Sequence, residues 1–136
     1  MTLSQLASLD AQPQKLELLN PFTDEKTGVT LLVNPIKSKA GNSAKHALNV
    51  KYLELMQDEE NVEEKNDTKA LKLEIMESLS REMYANLVIG WEGVADDNGK
   101  KLPFDLEQCI TMMQESTEIA MQVANFVNEM GKSLKA

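Results

Sequence analysis

The chain has 136 residues and a formal net charge of −8, with 22 acidic residues against 14 lysines and arginines. This length is typical of one domain with its own buried core. The acidic balance excludes a phosphate-binding surface made of clustered basic residues, so we expect no nucleic acid partner. Hydrophobic residues make up 42% of the chain but aromatic residues only 4%. A core of Leu, Val, Ile, Ala and Met side chains favours helices over a β-sandwich.

The N-terminal third is predicted to contain an arm and a small β element. Residues 1–14 are polar and are expected to form a flexible arm or a short helix, ahead of a single globular domain over 15–136. Short apolar segments at 15–19 and 29–33 are separated by turn residues, which predicts a β-hairpin. From residue 43 the apolar spacing becomes that of one helix face, formed by Leu48, Tyr52, Leu55 and Met56.

An acidic segment at 57–67 separates this helix from the next one. It contains six acidic residues and one isolated valine, so we predict a solvated loop or helix end there. A second helix is predicted over about 68–86, and the two helices are expected to form an antiparallel hairpin. Its apolar residues repeat every fourth position, at Leu71, Ile75, Leu79 and Met83.

The stretch from Asn86 to Asp105 contains several structural signals in succession. An apolar run leads into Gly90-Trp91-Glu92-Gly93-Val94, where the two glycines permit backbone angles or close approaches that a side chain forbids. The Asp96-Asp97-Asn98-Gly99 segment predicts a turn. Asp105 follows a proline and a phenylalanine and is placed to cap the next helix. We interpret Trp91 as a packing anchor.

Two further helices are predicted, one over about 106–113 and one over about 119–130. Met113 and Met130 fall on their apolar stripes and are expected in the core, whereas Met112 and Met121 fall off those stripes. Flexible thioethers suit surfaces that accept varied apolar partners. The resulting fold class is α+β and mostly α-helical, with about four helices and a small N-terminal β element.

The sequence contains no set of residues that indicates catalysis. His46 is the only histidine and Cys109 the only cysteine, which leaves no paired ligands for zinc. Cys109 lies on an amphipathic helix without an adjacent basic residue, so we expect a buried, unreactive thiol. No segment approaches the length of a membrane span or has the pattern of a signal peptide. We therefore expect a cytoplasmic protein that is not an enzyme and has neither metal nor cofactor.

The order of these motifs resembles that of the tail assembly chaperones of long-tailed bacteriophages, including the lambda-type proteins. The resemblance lies in Gly90 to Val94, in the turn at 96–99, in the proline-aromatic helix entry at 102–105, and in the Thr27-Gly28 turn. It implies a protein that binds the tape measure protein and assists tail tube assembly in the infected host cytoplasm, and that is absent from the mature virion.

The resemblance also implies the partners, and together with the off-stripe methionines it indicates where they bind. Family members commonly have a longer product made by ribosomal frameshifting, and the Gly131-Lys132 pair permits such a frameshift. The longer product would contact the tail tube protein. A homo-oligomer is compatible with this role. Binding of the tape measure protein is expected through the last two helices, at Met112, Met121 and Phe126. The alternative is a head-tail connector or another small virion protein, which ring assembly and presence in virions would favour.

Overall fold

A computed structural model describes residues 1–57 and 66–133, with positions 66, 67 and 131–133 described by their backbone alone. Its described part contains five helices and three strands, which confirms the mostly helical α+β class. In chain order the elements are α1 Leu3–Ala7, β1 Gln14–Leu19, β2 Lys26–Val33, α2 Lys39–Gln57, α3 Asn66–Asn86, β3 Val88–Glu92, α4 Leu106–Glu115 and α5 Thr117–Ser133.

The three strands form one antiparallel sheet in the order β1-β2-β3. The predicted hairpin is present, with Leu16 of β1 opposite Leu31 of β2. On the other side of β2, Leu31 lies opposite Trp91 of β3. The strand β3 was not predicted, and the β element is therefore not confined to the N-terminus. Its five residues include a glycine, and they pair as a strand with β2, which lies far away in the sequence.

The core lies between the inner face of the sheet and helices α4 and α5, with the C-terminal part of α3 beside them. The prediction that Met113 and Met130 belong to the core is confirmed. At the edge of the sheet, the side-chain amide of Gln122 on α5 bonds both backbone groups of Leu19, at 3.0 Å and 2.7 Å. The buried cluster consists of Leu18, Leu31, Val33, Ala85, Leu87, Val88, Cys109, Met113, Ala120, Val123, Val127 and Met130.

Helices α2 and α3 pack against each other as predicted. The Tyr52 hydroxyl donates a hydrogen bond of 3.2 Å to the Met76 carbonyl, which ties the two helices together. The predicted apolar stripe of α3 is only partly enclosed, however, because Leu71 and Ile75 are 56% and 38% exposed. Among the described elements α2 has its main contacts with α3 alone, and a helical apolar period does not guarantee burial here. The exposed apolar residues of the two helices are Val50, Leu53, Met56, Leu71, Leu73 and Ile75.

The structure describes the whole N-terminal arm but only the two ends of the acidic segment. Residues 3–7 form the short helix α1, all of whose residues are exposed. Its end is held to α2, because Lys39 donates hydrogen bonds to the Asp10 carboxylate and, through Nζ, to the Ala7 carbonyl. Flexibility of the arm stays a prediction. Of the predicted acidic loop at 57–67, position 57 ends α2 and positions 66 and 67 begin α3, while 58–65 lie outside the described residues.

Candidate partner-binding surface

Trp91 connects the sheet to the loop that leads into α4. Its indole Nε1 donates a hydrogen bond of 3.0 Å to the Leu102 carbonyl. Its ring meets that of Phe104 edge to face, with centroids 5.0 Å apart and planes at 80°. Both rings are partly exposed and pack against the buried cluster. These contacts link β3 to the entry of α4, and the role of Trp91 as a packing anchor stays a prediction.

Of the two glycines that flank Trp91, only Gly93 lies where the backbone conformation requires a glycine. Gly93 has a φ of +84°, and a Cβ there would lie 2.1 Å from the Gly28 carbonyl oxygen. At Gly90 the nearest atom to such a Cβ is 3.8 Å away, and the φ is not positive. Gly99 has a φ of +80° in the predicted turn. The Asp105 carboxylate accepts the Gln108 N–H at 3.0 Å, which confirms the predicted helix cap.

The three residues predicted to bind a partner occupy different environments. Met121 is 56% exposed on α5. Met112 on α4 and Phe126 on α5 are half-buried and pack against the core cluster. The structure therefore does not bring the three together into one exposed patch, and only Met121 is freely presented to a partner.

Met121 borders an apolar groove between α3 and α5, which we call the α3–α5 groove. Its cavity volume is about 320 Å³. Ala120 and Ala124 lie one helical turn apart on α5, and their short side chains leave space that longer residues would fill. Leu73, which is 57% exposed, lies one turn before the α3 end of the lining. The lining residues are Glu77, Ser80, Arg81, Tyr84, Thr117, Ala120, Met121 and Ala124.

A polar cluster on α3 and α4 holds Arg81 at the side of this groove. The side-chain oxygen of Gln114 accepts hydrogen bonds of 3.1 Å from the Ser78 hydroxyl and from Arg81 Nε. Its Nε2 donates to the Ser78 carbonyl at 2.7 Å. Gln114 thereby fixes the spacing of α3 and α4 and orients the guanidinium plane. Arg81 was not among the residues predicted from the sequence, although it is the only arginine of the chain.

A second, larger groove of about 440 Å³ lies between α2 and α3. Its apolar lining includes three alanines of α2 together with Leu79 and Met83 of α3. An ion pair between Lys51 Nζ and Glu82 Oε2, 3.8 Å apart, is formed by two of its lining residues. A partner that entered this groove would have to accommodate or displace that pair. The α3–α5 groove contains no such ion pair between described residues, so it is the better apolar surface.

The residues considered for chemistry lie apart from these grooves. Cys109 is buried, as predicted, and burial raises the pKa of its thiol to about 11. His46 is exposed on α2. In the described part of the chain, no three His, Cys, Asp or Glu residues are grouped so that they could hold a metal ion. None of the helices described is long and apolar enough to cross a membrane.

Comparison with known proteins identifies one family. The pattern of the YdaY prophage protein family matches residues 36–135, which include α2, α3, β3, α4 and α5 and therefore both grooves. No curated protein and no solved structure matches the chain. Because the family match extends over most of the sequence, the chain is a phage-related protein that belongs to the YdaY prophage protein family.

Proposed function

We propose that this phage protein is a tail assembly chaperone that binds the tape measure protein and assists assembly of the tail tube around it. The observation that carries the proposal is the apolar α3–α5 groove beside the exposed Met121. A groove between two helices suits an amphipathic helix of a partner, which inserts its apolar side chains. The long, largely helical tape measure protein expected from the family resemblance offers such helices.

The charge of the chain supports the same role. A protein of net charge −8 that covers an apolar helix leaves the complex strongly charged, and charge of one sign opposes aggregation. The flexible thioether of Met121 can adapt to apolar side chains of different shape. This combination fits a chaperone that must cover several related segments of one long partner. The protein would act in the host cytoplasm without metal or cofactor and would be left out of the finished virion.

The proposal is tested by co-expressing the protein with the tape measure protein of the same phage and measuring how much of the partner co-purifies. A Met121→Glu variant places a carboxylate in the groove, and we expect recovery to fall about tenfold or more because the charge must be desolvated. Phe22→Glu is the matched control, since Phe22 is 86% exposed in the turn between β1 and β2 and lies outside the groove. Met112 is unsuitable for this test because its half-buried side chain packs against the core.

The possible results separate this role from its alternatives. Co-purification of the tape measure protein with the wild type and with Phe22→Glu, but not with Met121→Glu, would support binding through the groove. Failure of the wild-type protein to retain the tape measure protein would overturn the proposal. Detection of the chain in purified virions by mass spectrometry would favour a structural virion protein instead. The gene sequence around codons 130–136 would reveal whether a slippery heptamer permits the longer product.

A further inference from the structure

We propose that the α3–α5 groove selects an apolar helix that carries an Asp or Glu side chain, and that Arg81 binds this carboxylate. The inference deepens the proposed function and rests on it, because it names the chemistry of the helix that the groove accepts. It also adds a charged contact to a surface for which the sequence predicted only the apolar residues Met112, Met121 and Phe126.

Arg81 has hydrogen-bonding capacity that the protein itself does not use. An arginine has five N–H donors in a planar fork, and only Nε is bonded, to Gln114 Oε1 at 3.1 Å. Within the described residues, no ion pair or further hydrogen bond engages the terminal nitrogens. Glu77 lines the same groove one helical turn away but lies beyond ion-pair distance. Arg81 is thus held in orientation by Gln114, and its terminal nitrogens have no partner among residues 1–57 and 66–133.

The surroundings of Arg81 make a carboxylate the fitting partner for these donors. The side chain is half-buried, and the groove next to it is lined by Ala120, Ala124 and Met121. An apolar helix that covers the groove removes water from the guanidinium and leaves its donors unsatisfied unless the helix supplies an acceptor. A carboxylate accepts two parallel N–H bonds from this fork, a geometry that a neutral acceptor matches less well.

The negative charge of the whole chain does not oppose such a contact. At physiological ionic strength the Debye length is about 8 Å, so exposed acidic residues farther away are largely screened. A direct contact with a desolvated guanidinium is screened much less. The acidic surface would lower the rate of encounter with a strongly acidic helix, which leaves an apolar helix with an isolated acidic residue as the preferred ligand.

The experiment uses the tape measure fragment that the wild-type protein retains in co-expression, mapped by trimming and then purified. Its dissociation constant is measured for the wild type and for Arg81→Met and Arg81→Lys, and again with each acidic residue of the fragment replaced by its amide. We expect Arg81→Met to weaken binding about tenfold. Replacing one particular acidic residue of the fragment by its amide should weaken binding to the wild type by the same factor. The same replacement should not weaken binding to Arg81→Met any further. Arg81→Lys should retain part of the affinity, because it keeps the charge but not the fork.

A Gln114→Ala control distinguishes recognition from a merely structural role. It removes the acceptor of Arg81 Nε and the bonds to Ser78 while leaving the positive charge in place. If Arg81 only joined α3 to α4, Gln114→Ala would weaken binding at least as much as Arg81→Met. Replacing the acidic residue of the fragment would then weaken binding to the wild type and to Arg81→Met by the same factor. That result would overturn the inference. Urea midpoints of all variants show whether folding is affected.

Failure of this inference differs from failure of the proposed function. Binding that depends on Met121 but is indifferent to Arg81 and to every acidic residue of the fragment would overturn the carboxylate contact alone. If the wild type retains no tape measure protein, both proposals are wrong.

Discussion

Replacement of Trp91 by alanine tests whether this residue anchors the fold. The substitution removes a half-buried indole, its edge-to-face contact with Phe104 and its hydrogen bond to the Leu102 carbonyl. Truncation of a large buried aromatic residue costs about 3 to 5 kcal/mol. The aromatic pair contributes about 0.5 to 1.5 kcal/mol and the hydrogen bond about 1 kcal/mol. Since part of the ring is in contact with water, we expect a loss of about 3 kcal/mol, at the lower end of that range.

The measurement is urea denaturation followed by far-UV circular dichroism, because the variant lacks the only tryptophan. Trp91→Phe is the control, since it keeps an aromatic ring against Phe104 but loses the N–H donor, and it should cost about 1 to 2 kcal/mol. The wild-type fluorescence maximum should lie at a shorter wavelength than that of the unfolded chain. A loss below about 1 kcal/mol in Trp91→Ala, or a water-like emission from the folded protein, would refute the anchor role.

Two further predictions concern the backbone and the buried thiol. Gly93→Ala should lower the free energy of unfolding by at least about 2 kcal/mol, because a positive φ is strained for alanine and its Cβ would meet the Gly28 oxygen. Gly90→Ala is the matched control, and a similar loss in both would contradict the close-approach argument. Burial raises the pKa of Cys109 from 9.0 to about 11, so the folded state holds its proton after the unfolded state releases it. Its contribution to stability is therefore complete below about pH 9 and falls as the pH rises toward about 11. The stability difference between wild type and Cys109→Ala should change across this window, and a constant difference would show that the thiol is not desolvated.

Much of the local structure follows from short sequence signals. The turn at Gly99 and the cap at Asp105 depend on the residues themselves and their immediate neighbours, so no distant contact is needed to predict them. The hairpin of β1 and β2 follows from apolar segments on either side of a turn. Helical periodicity also placed Met113 inside and Met121 outside, because both lie on regular helices that pack against one core.

The candidate partner surface could be identified only from the tertiary structure. The strand β3 exists because it pairs with β2, and the apolar period of α3 did not reveal that Leu71 and Ile75 are exposed. The α3–α5 groove combines residues from helices far apart in the sequence, and Arg81 is oriented by Gln114 of a third helix. Residue spacing defines the faces of each helix, since those faces follow from the local backbone geometry. Which faces meet, and which remain uncovered, is decided by the packing of distant elements around the shared core.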